Sequence, residues 1–363
     1  SVTATIQARG TKVRTPAPVV VKKEMAVKLE PPSLAATSQF IHPSQGGAEV
    51  VVYEVGQTAV KDGVQAGDWF FPGHVLPGGS GPTQHFAFFA IPYDWDGVTE
   101  DQAKEKVKLV AEDDIGNRAE QSFIHKYIPR SMGKDTITLA DPFLKKVTGE
   151  IYARMPELQK KGDLLADYIQ LNKDLRVVEM NQLHELSTKS AEKFLWTTTF
   201  QRMDNAAVKG AFAQRRTYLY NGNHVDTEDH LGFDLDSLEH APATASNDGV
   251  VAMAHYFGIF GNCVVIDHGF GIQSLYGHLQ TIEVKEGEAV KAGQEIGKTG
   301  STGLAGGDHL HFTILVDGLP VTPIEWWDGH WIKDRLKLKL GDALPWQESA
   351  DTVQPIYEKH HRK

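Results

Sequence analysis

The chain has 363 residues, of which 41% are hydrophobic and 23% charged, an ordinary globular composition that allows two or three domains at roughly 100–200 residues each. The formal net charge of −10 gives no electrostatic reason to expect nucleic acid or an anionic membrane as a partner, because such binders carry a basic face. The apolar runs are too short to span a bilayer. We therefore predict no nucleic-acid partner and no transmembrane segment in this chain.

Cysteine usage restricts the chemistry further. Cys263 is the single cysteine, which excludes an intrachain disulfide and a cysteine-rich zinc or iron–sulfur site. Its place in the apolar run NCVVIDHG favours a small buried hydrophobe over a nucleophile. Scarce cysteine is compatible with a bacterial envelope protein. The chain begins at Ser1 without an initiator methionine or a signal-peptide core, so we interpret it as processed or trimmed, and its N-terminus indicates no compartment.

The first third of the chain has a β pattern. Residues 1–37 are rich in Val, Thr, Lys and Pro, which predicts an extended tether rather than a helix. Between 38 and 130, apolar or alternating runs such as AEVVVYEV and HFAFFAIPYDW are separated by turns rich in Gly and Pro, which predicts a β-sandwich. The stretch VAEDDIGNRAEQ resembles a turn common in bacterial immunoglobulin-like domains, so we expect the sandwich to be immunoglobulin-like.

The hydrophobic period changes near residue 139. Asp141 is a candidate N-cap and Pro142 would occupy the first helical position, which is a usual start signal. Apolar residues then recur three or four positions apart through GDLLADYIQLNKDL. We predict a mainly helical connector over 131–196, whose apolar stripe serves packing. Two alternatives stay open for this connector: it occludes the domain that follows, or it spaces that domain from an anchor.

From residue 197 to 340, β signals return and glycine is frequent. GNCVVIDHGFGIQSLYGHL predicts a strand, a glycine turn and a second strand, and VKEGEAVKAGQEIGKTGSTG predicts a compact β-meander. A lipoyl- or biotin-carrier hairpin uses similar turns. Such a carrier needs a Met-Lys or Asp-Lys pair at the hairpin tip, and neither pair occurs in the chain. Residues 341–363 are predicted to form a C-terminal tail.

Histidines in two motifs of this block suggest chemistry. GDHLHF precedes the strand-like TILV, and on a strand His309 and His311 would face the same side. Upstream, HLGFD places His230 and Asp234 four apart, which also share a face on an extended chain. Catalytic zinc sites use such a mixture, with three protein ligands and a fourth position left for water. Taken alone, HLGFD is better explained as a surface histidine beside an acidic cluster.

Together the motifs resemble the M23 family of zinc metallopeptidases, the lysostaphin- or LytM-type endopeptidases of bacterial cell walls. The resemblance rests on HLGFD, on LYGHL around His278 and on HLH, in that order and at the family's spacing, and it covers about residues 210–330. It implies a mainly β, antiparallel, LytM-like peptidase domain over 197–340. Only the stretch APATA departs from the family's pattern, where Pro-Val-x-Ala is usual, and this departure touches no ligand.

The resemblance also implies a division of roles among the site residues. His230, Asp234 and His311 would bind one Zn²⁺ per chain. His278 and His309 would flank a zinc-bound water as catalytic residues, in roles that the sequence does not separate. Tyr276, two residues before His278, would share its face on a strand and could line the cleft, although exposure in a hairpin would explain it equally well.

The activity that the resemblance implies is hydrolysis of peptide bonds in the stems or crosslinks of peptidoglycan, with zinc-bound water as nucleophile, outside the cytoplasm in the bacterial envelope. The alternative is a non-catalytic envelope protein that uses the LytM-like fold to bind or activate a cell-wall amidase. An intact set of ligands favours the enzyme. The sequence does not indicate which bond is cut, and the N-terminal β domain is a candidate surface for a protein partner.

Overall fold

The computed structural model describes the backbone of residues 2–7, 20–25 and 29–348, with side chains from residue 29 to 348. The predicted tether and the predicted tail therefore lie partly outside the described residues. Strands Val2–Gln7 (β1) and Val20–Met25 (β2) pair antiparallel with each other. None of the helices in these described ranges is long and apolar enough to cross a membrane.

Two four-stranded sheets follow. Their strands are Leu34–Ala36 (β3), Ala48–Val55 (β4), Ala59–Ala66 (β5), Trp69–Pro72 (β6), His74–Val75 (β7), Gln84–Ala90 (β8), Val107–Asp113 (β9) and Arg118–Gln121 (β10). The strand orders are β3-β4-β8-β7 and β10-β9-β5-β6, and helix Glu100–Lys106 (α1) precedes β9. Side chains of both sheets, such as Val64 and Phe88, belong to one hydrophobic core. The immunoglobulin-like assignment of this part stays a prediction.

A helical segment follows strand Lys134–Leu139 (β11). It consists of Asp141–Arg154 (α2), Leu164–Ile169 (α3), a π-helical turn at Gln170–Leu175, and Arg176–Ser187 (α4). In α2, Leu144, Val147 and Ile151 are buried at the spacing that the sequence predicts for a packed stripe.

The predicted N-cap of α2 is wrong by one residue. Ala140 is the N-cap, and Asp141 is the first helical residue. Oδ1 of Asp141 accepts a hydrogen bond from the Tyr220 hydroxyl at 2.6 Å, and no side chain caps the first turn of α2.

The remaining strands form the largest sheet, in the order β12-β15-β23-β19-β18-β17-β21 with β24 paired to β23, and two three-stranded sheets, β11-β13-β14 and β16-β22-β20. They are Ala207–Gly210 (β12), Gln214–Tyr220 (β13), Asn223–His230 (β14), Phe233–Asp236 (β15), Pro242–Thr244 (β16), Gly249–Tyr256 (β17), Asn262–Gly269 (β18), Ile272–Leu279 (β19), Thr281–Ile282 (β20), Ala289–Val290 (β21), Glu295–Lys298 (β22), Leu310–Val316 (β23) and Leu319–Val321 (β24). The predicted hairpin is the antiparallel pair β18–β19. The mainly β, antiparallel fold is confirmed.

A 3₁₀ turn, Gly258–Phe260, lies between β17 and β18 and contacts the helical segment. After β24 come short helices, some of which pack against β4. They are Pro323–Trp327 (α5), Gly329–Trp331 (α6), Ile332–Lys337 (π), Leu338–Leu340 (α7) and Gly341–Ala343 (3₁₀). The buried carboxylate of Glu325 accepts from Ser44 Oγ at 2.7 Å, from the backbone N–H of Ala48 at 2.8 Å and from Arg130 Nη2 at 2.7 Å. One hydrophobic core contains residues from Ile41 to Trp346, so the N-terminal sheets and the largest sheet share their interior.

Candidate metal centre

The ends of three strands bring His230, Asp234 and His311 together. His230 ends β14, and Asp234 of β15 lies opposite His311 of β23 in the antiparallel register. His230 Nε2 is 2.9 Å from Asp234 Oδ1 and 3.0 Å from His311 Nδ1, and the latter two atoms are 3.3 Å apart. One ligand atom from each residue lies within 4.8 Å of the other two, and all three residues are buried. This group could hold a metal ion.

Outer hydrogen bonds set the tautomer of both imidazoles. His230 Nδ1–H donates to the carbonyl oxygen of Ala211 at 3.0 Å. His311 Nε2 is 3.0 Å from Thr313 Oγ1, whose one proton is donated to the carbonyl oxygen of Leu231 at 2.7 Å. His311 must therefore donate through its Nε2–H, which leaves the lone pair on Nδ1. In both rings the nitrogen that faces the other ligands is unprotonated, as metal binding requires.

Burial and neighbouring groups give the three residues the charge states of ligands. Burial lowers the pKa of His230, and it lowers the pKa of His311 to about 4, so both rings are neutral at pH 7. Burial alone would raise the pKa of Asp234, but the neighbouring histidines, His230 first, hold that pKa well below its ordinary value. Arg216 Nη2 donates to Asp234 Oδ2 at 2.6 Å, while Oδ1 faces the histidines.

The two predicted catalytic histidines stand beside this group. The ring centroids of His278 and His309 are 4.8 Å apart. His278 Nδ1–H donates to Thr302 O at 2.8 Å and His309 Nδ1–H to Gly307 O at 2.9 Å, so each ring keeps Nε2 for other contacts. Burial lowers the pKa of His278 well below its ordinary value. Burial also lowers that of His309, but the hydrogen bond and charge of Asp234 outweigh it and the net pKa is raised.

Tyr276 does not line the cleft, contrary to the expectation from strand alternation. His278 has a φ of +63°, and the register of β19 against β18 shifts between Tyr276 and Leu279. This β-bulge breaks the period of two, so residues two apart no longer share a face. Tyr276 is 1% exposed and its hydroxyl accepts from the backbone N–H of Ser246 at 2.6 Å. It is neither an exposed hairpin residue nor a residue of the site.

The five predicted site residues line one cavity of about 340 Å³. Much of the remaining wall comes from the helical segment and from strands β11 and β13. These residues are Ile137, Thr138, Leu139, Phe143, Tyr168, Arg176, Arg216 and Tyr218. The sequence predicts a packing role for the helical stripe and leaves open whether the connector occludes the domain that follows, but it does not identify which residues of the stripe reach the site. Its contribution to the cavity depends on the tertiary arrangement, for which no motif gives a signal.

Helix α2 holds the loop that orients the ring of His278. Lys146 Nζ donates to two carbonyl oxygens of loop 301–305, at 3.0 and 3.2 Å. Glu150 Oε1 accepts a backbone N–H of the same loop at 2.8 Å. Thr302, between these contacts, supplies the carbonyl oxygen that accepts from His278. Helix α2 therefore holds the residues on both sides of Thr302, and Thr302 links them to the candidate catalytic ring of His278.

Helix α4 supports a second wall of the cavity. The carboxylate of Glu179 is fully buried and accepts from the backbone N–H of Ile259 at 3.1 Å. Phe260, the next residue, places its ring 5.5 Å from that of His311. Burial raises the pKa of Glu179 to about 8. The contact joins α4 to the backbone that packs on a candidate ligand.

Comparison with known proteins matches residues 228–323 to Peptidase family M23. Over 95 residues the chain is 40% identical to the DD-carboxypeptidase/endopeptidase Mpg of Neisseria meningitidis serogroup B, covering 26% of this chain and 22% of that protein. Over 124 residues it is 42% identical to the peptidoglycan DD-endopeptidase ShyA of Vibrio cholerae serotype O1, covering 34% of this chain and 26% of that protein. The alignments thus span about a quarter of the length of these curated relatives.

Among solved structures, the catalytic domain of the antimicrobial peptidase lysostaphin from Staphylococcus simulans is 28% identical, with coverage of 33% of this chain and 91% of that chain and a TM-score of 0.28. The span that matches the family contains all five candidate residues, namely His230, Asp234, His278, His309 and His311. The resemblance deduced from the motifs is confirmed, because residues 228–323 of this chain match peptidase family M23.

Proposed function

We propose that this chain is a metalloendopeptidase that hydrolyses peptide bonds in the stems or crosslinks of bacterial peptidoglycan, outside the cytoplasm in the cell envelope. The observation that carries the proposal is the buried group of His230, Asp234 and His311, whose facing donor atoms already have the protonation that a metal needs. The relative named as a peptidoglycan DD-endopeptidase supports the choice of substrate.

The donor set fits one Zn²⁺ per chain. His230 Nε2, His311 Nδ1 and Asp234 Oδ1 would hold it, and two neutral imidazoles with one carboxylate match catalytic zinc sites, which keep a further position open. When bound, zinc lowers the pKa of a coordinated water and polarises the scissile carbonyl group. Arg216 and Thr313 keep the carboxylate and the His311 ring in place from outside the ligand group.

His278 and His309 move protons in this proposal. Each ring is fixed by an Nδ1–H bond to a backbone carbonyl, so Nε2 can accept or donate without losing that anchor. One ring takes the proton of the attacking water, and the other protonates the leaving amine or donates to the developing oxyanion. Because both are anchored in the same way, the proposal does not divide the two roles between them.

The domain division supports this function and is itself proposed: a β-sandwich over 38–130, a helical connector over 131–196 and the peptidase over 197–340. The N-terminal sheets are the proposed surface for a protein partner. The helical segment contacts the cavity at Phe143 and Tyr168, which supports a role close to the site rather than spacing alone.

The metal assignment is tested with Asp234→Ala. This change removes one ligand and should abolish stoichiometric zinc, measured by metal analysis, while circular dichroism of the β fold is retained. Full zinc occupancy in the variant would contradict the assignment of Asp234.

The proton carriers are tested with His278→Ala and His309→Ala. Each variant should keep zinc and lose most of the hydrolytic rate, because general acid–base groups contribute about 10²–10⁴-fold. Loss of metal in His309→Ala would mean that His309 and His311 exchange roles.

Hydrolysis itself is tested by digesting purified peptidoglycan of two crosslink types and identifying the released fragments by mass. The expected result is soluble peptide fragments that define the bond cut. A zinc-loaded protein that releases nothing from either type and stimulates a cell-wall amidase would be the non-catalytic alternative.

A further inference from the structure

Arg176 is a mostly buried cation on the wall of the cavity that the candidate ligands line. It begins α4, and its side chain is 17% exposed. Its Nε donates to the carbonyl oxygen of Asn172 at 2.9 Å and its Nη2 to Asn172 Oδ1 at 2.8 Å. Asn172 is fully buried, and its amide donates to Asp226 Oδ2 at 2.8 Å. The guanidinium is therefore held in one orientation before any ligand binds.

The forked guanidinium of Arg176 keeps N–H donors that no carboxylate accepts from. Within residues 29–348, Glu228 is the only carboxylate that forms an ion pair with the Arg176 guanidinium, and its Oε2, 3.8 Å from Nε, lies beyond hydrogen-bond distance. A guanidinium has five N–H donors, and Asn172 accepts from two of them. A buried charge whose hydrogen-bond acceptors are neutral gains most from an anion that pairs with it through two parallel bonds.

The surroundings strengthen such a pair. Apolar side chains, including Ile137, Leu139 and Phe143, line the same cavity, and a site lined in this way weakens screening by water. The second arginine that lines the cavity, Arg216, already donates to the carboxylate of Asp234. Among the residues that line the cavity, Arg176 is thus the arginine with an open fork.

We propose that Arg176 binds a free carboxylate group of the substrate while the scissile peptide lies at the metal centre. The inference rests on the proposed function and names a feature of its substrate. Peptidoglycan stem peptides carry such a group at their C-terminal residue and on acidic side chains. The helical segment then takes a direct part in the choice of substrate, through a residue that lies outside the span matched to the family.

The test uses the full, zinc-loaded chain and two pairs of stem-type peptides. The members of one pair differ only in a C-terminal carboxylate or carboxamide, and those of the other pair differ only in a side-chain carboxylate or carboxamide. For one pair, wild-type protein should prefer the acid by about 10- to 100-fold in kcat/KM, mainly through KM, as hydrogen bonds to a charged group allow. The pair that shows the preference identifies the source of the carboxylate.

In Arg176→Gln the preference should fall close to one, and Arg176→Lys, which keeps the charge but loses the fork, should lie between. Arg118→Gln is the matched control, because Arg118 pairs with Glu120 on the surface of the N-terminal sheets and should leave the preference unchanged. The preference is a ratio within each variant, so a partly unfolded sample does not alter it. If Arg176→Gln does not fold, Arg176→Lys decides the test.

An undiminished preference in Arg176→Gln, or wild-type protein that treats acid and amide alike in both pairs, overturns the inference and leaves the proposed function standing. Hydrolysis of no peptide by wild-type protein counts against the proposed function instead. The acid-to-amide ratio is then measured as Kd for the uncleaved peptides, and the same comparison between wild type and Arg176→Gln decides the carboxylate inference.

Discussion

Thr313→Val removes one oxygen atom that supports the candidate metal centre and conserves the shape of the side chain. Thr313 is 2% exposed; its hydroxyl accepts from His311 Nε2–H at 3.0 Å and donates to Leu231 O at 2.7 Å. In the variant both groups lose this partner inside the protein. The ring of His311 also loses the bond that keeps its proton on Nε2, so a proton on Nδ1 can compete with the metal.

The expected magnitudes follow from these two contacts. A buried polar group left without a partner costs about 1–3 kcal/mol, so the loss at both groups should lower the free energy of unfolding of the metal-free protein by about 2–6 kcal/mol. Loss of an outer hydrogen bond of a ligating histidine typically lowers metal affinity by about 10- to 100-fold. Thr313→Ser keeps the hydroxyl and is the matched control.

The assay is competition for zinc against a chromophoric chelator, with urea unfolding of the same proteins in excess chelator. Thr313→Ser should bind zinc nearly as tightly as wild type, and Thr313→Val about 10- to 100-fold more weakly. Equal zinc affinity of the two variants would refute the assignment of His311 Nδ1 as the ligand atom, because that assignment depends on the proton held at Nε2 by the hydroxyl.

Three further predictions concern groups outside the ligand set. Burial raises the pKa of Glu179 to about 8 from an ordinary 4.5, so its contribution to stability is fully present below about pH 4.5 and is lost as the pH rises through 8. Glu179→Gln should therefore reduce the decline of the free energy of unfolding with pH, measured by urea unfolding from pH 5 to 8.5. Glu150→Ala should lower kcat with little change in KM or zinc content, since the loop that orients His278 loses a contact, and Glu150→Gln, which keeps an acceptor oxygen, should restore most of the rate. Lys339→Met should lower the free energy of unfolding by about 1.5–3 kcal/mol, because the buried carboxylate of Glu49 loses its charged hydrogen-bond donor and keeps Arg335, at 3.7 Å, as its cation; adding Glu49→Gln should recover part of the loss.

The grouping of His230, Asp234 and His311 could be predicted from the sequence because these residues lie in short motifs on strands, and their role as metal ligands stays a prediction. Asp234 and His311 are register partners in adjacent strands, and alternation brings both reactive ends to one face. The spacing of the motifs along the chain is characteristic of a family, so three motifs in order were sufficient to predict that these residues lie together. The carbonyl and hydroxyl groups that set the tautomers belong to Ala211 and Thr313. These residues lie in no motif with a characteristic spacing, so only the structure identifies them.

The cavity could not be predicted for a different reason. Tyr168 and Arg176 lie more than fifty residues before His230 in the chain, and an amphipathic stripe indicates that a helix packs but not against what. Local rules also failed where the backbone departs from regular geometry. The β-bulge beside His278 breaks the alternation on which the expectation for Tyr276 depended, and α2 begins one residue earlier than its start signal predicts.

The partners of Glu325 have a consequence for how this protein can be divided. Glu325 lies two residues beyond the family match, yet the three groups that hold its carboxylate belong to Ser44, Ala48 and Arg130. A fragment cut at the limits of the match would expose part of a common interior, and one that begins at residue 197 and keeps Glu325 would carry an acid with none of these partners. A chimaera that takes its peptidase part from this chain therefore has to include the N-terminal sheets, because the unit that folds extends beyond the residues that match the family.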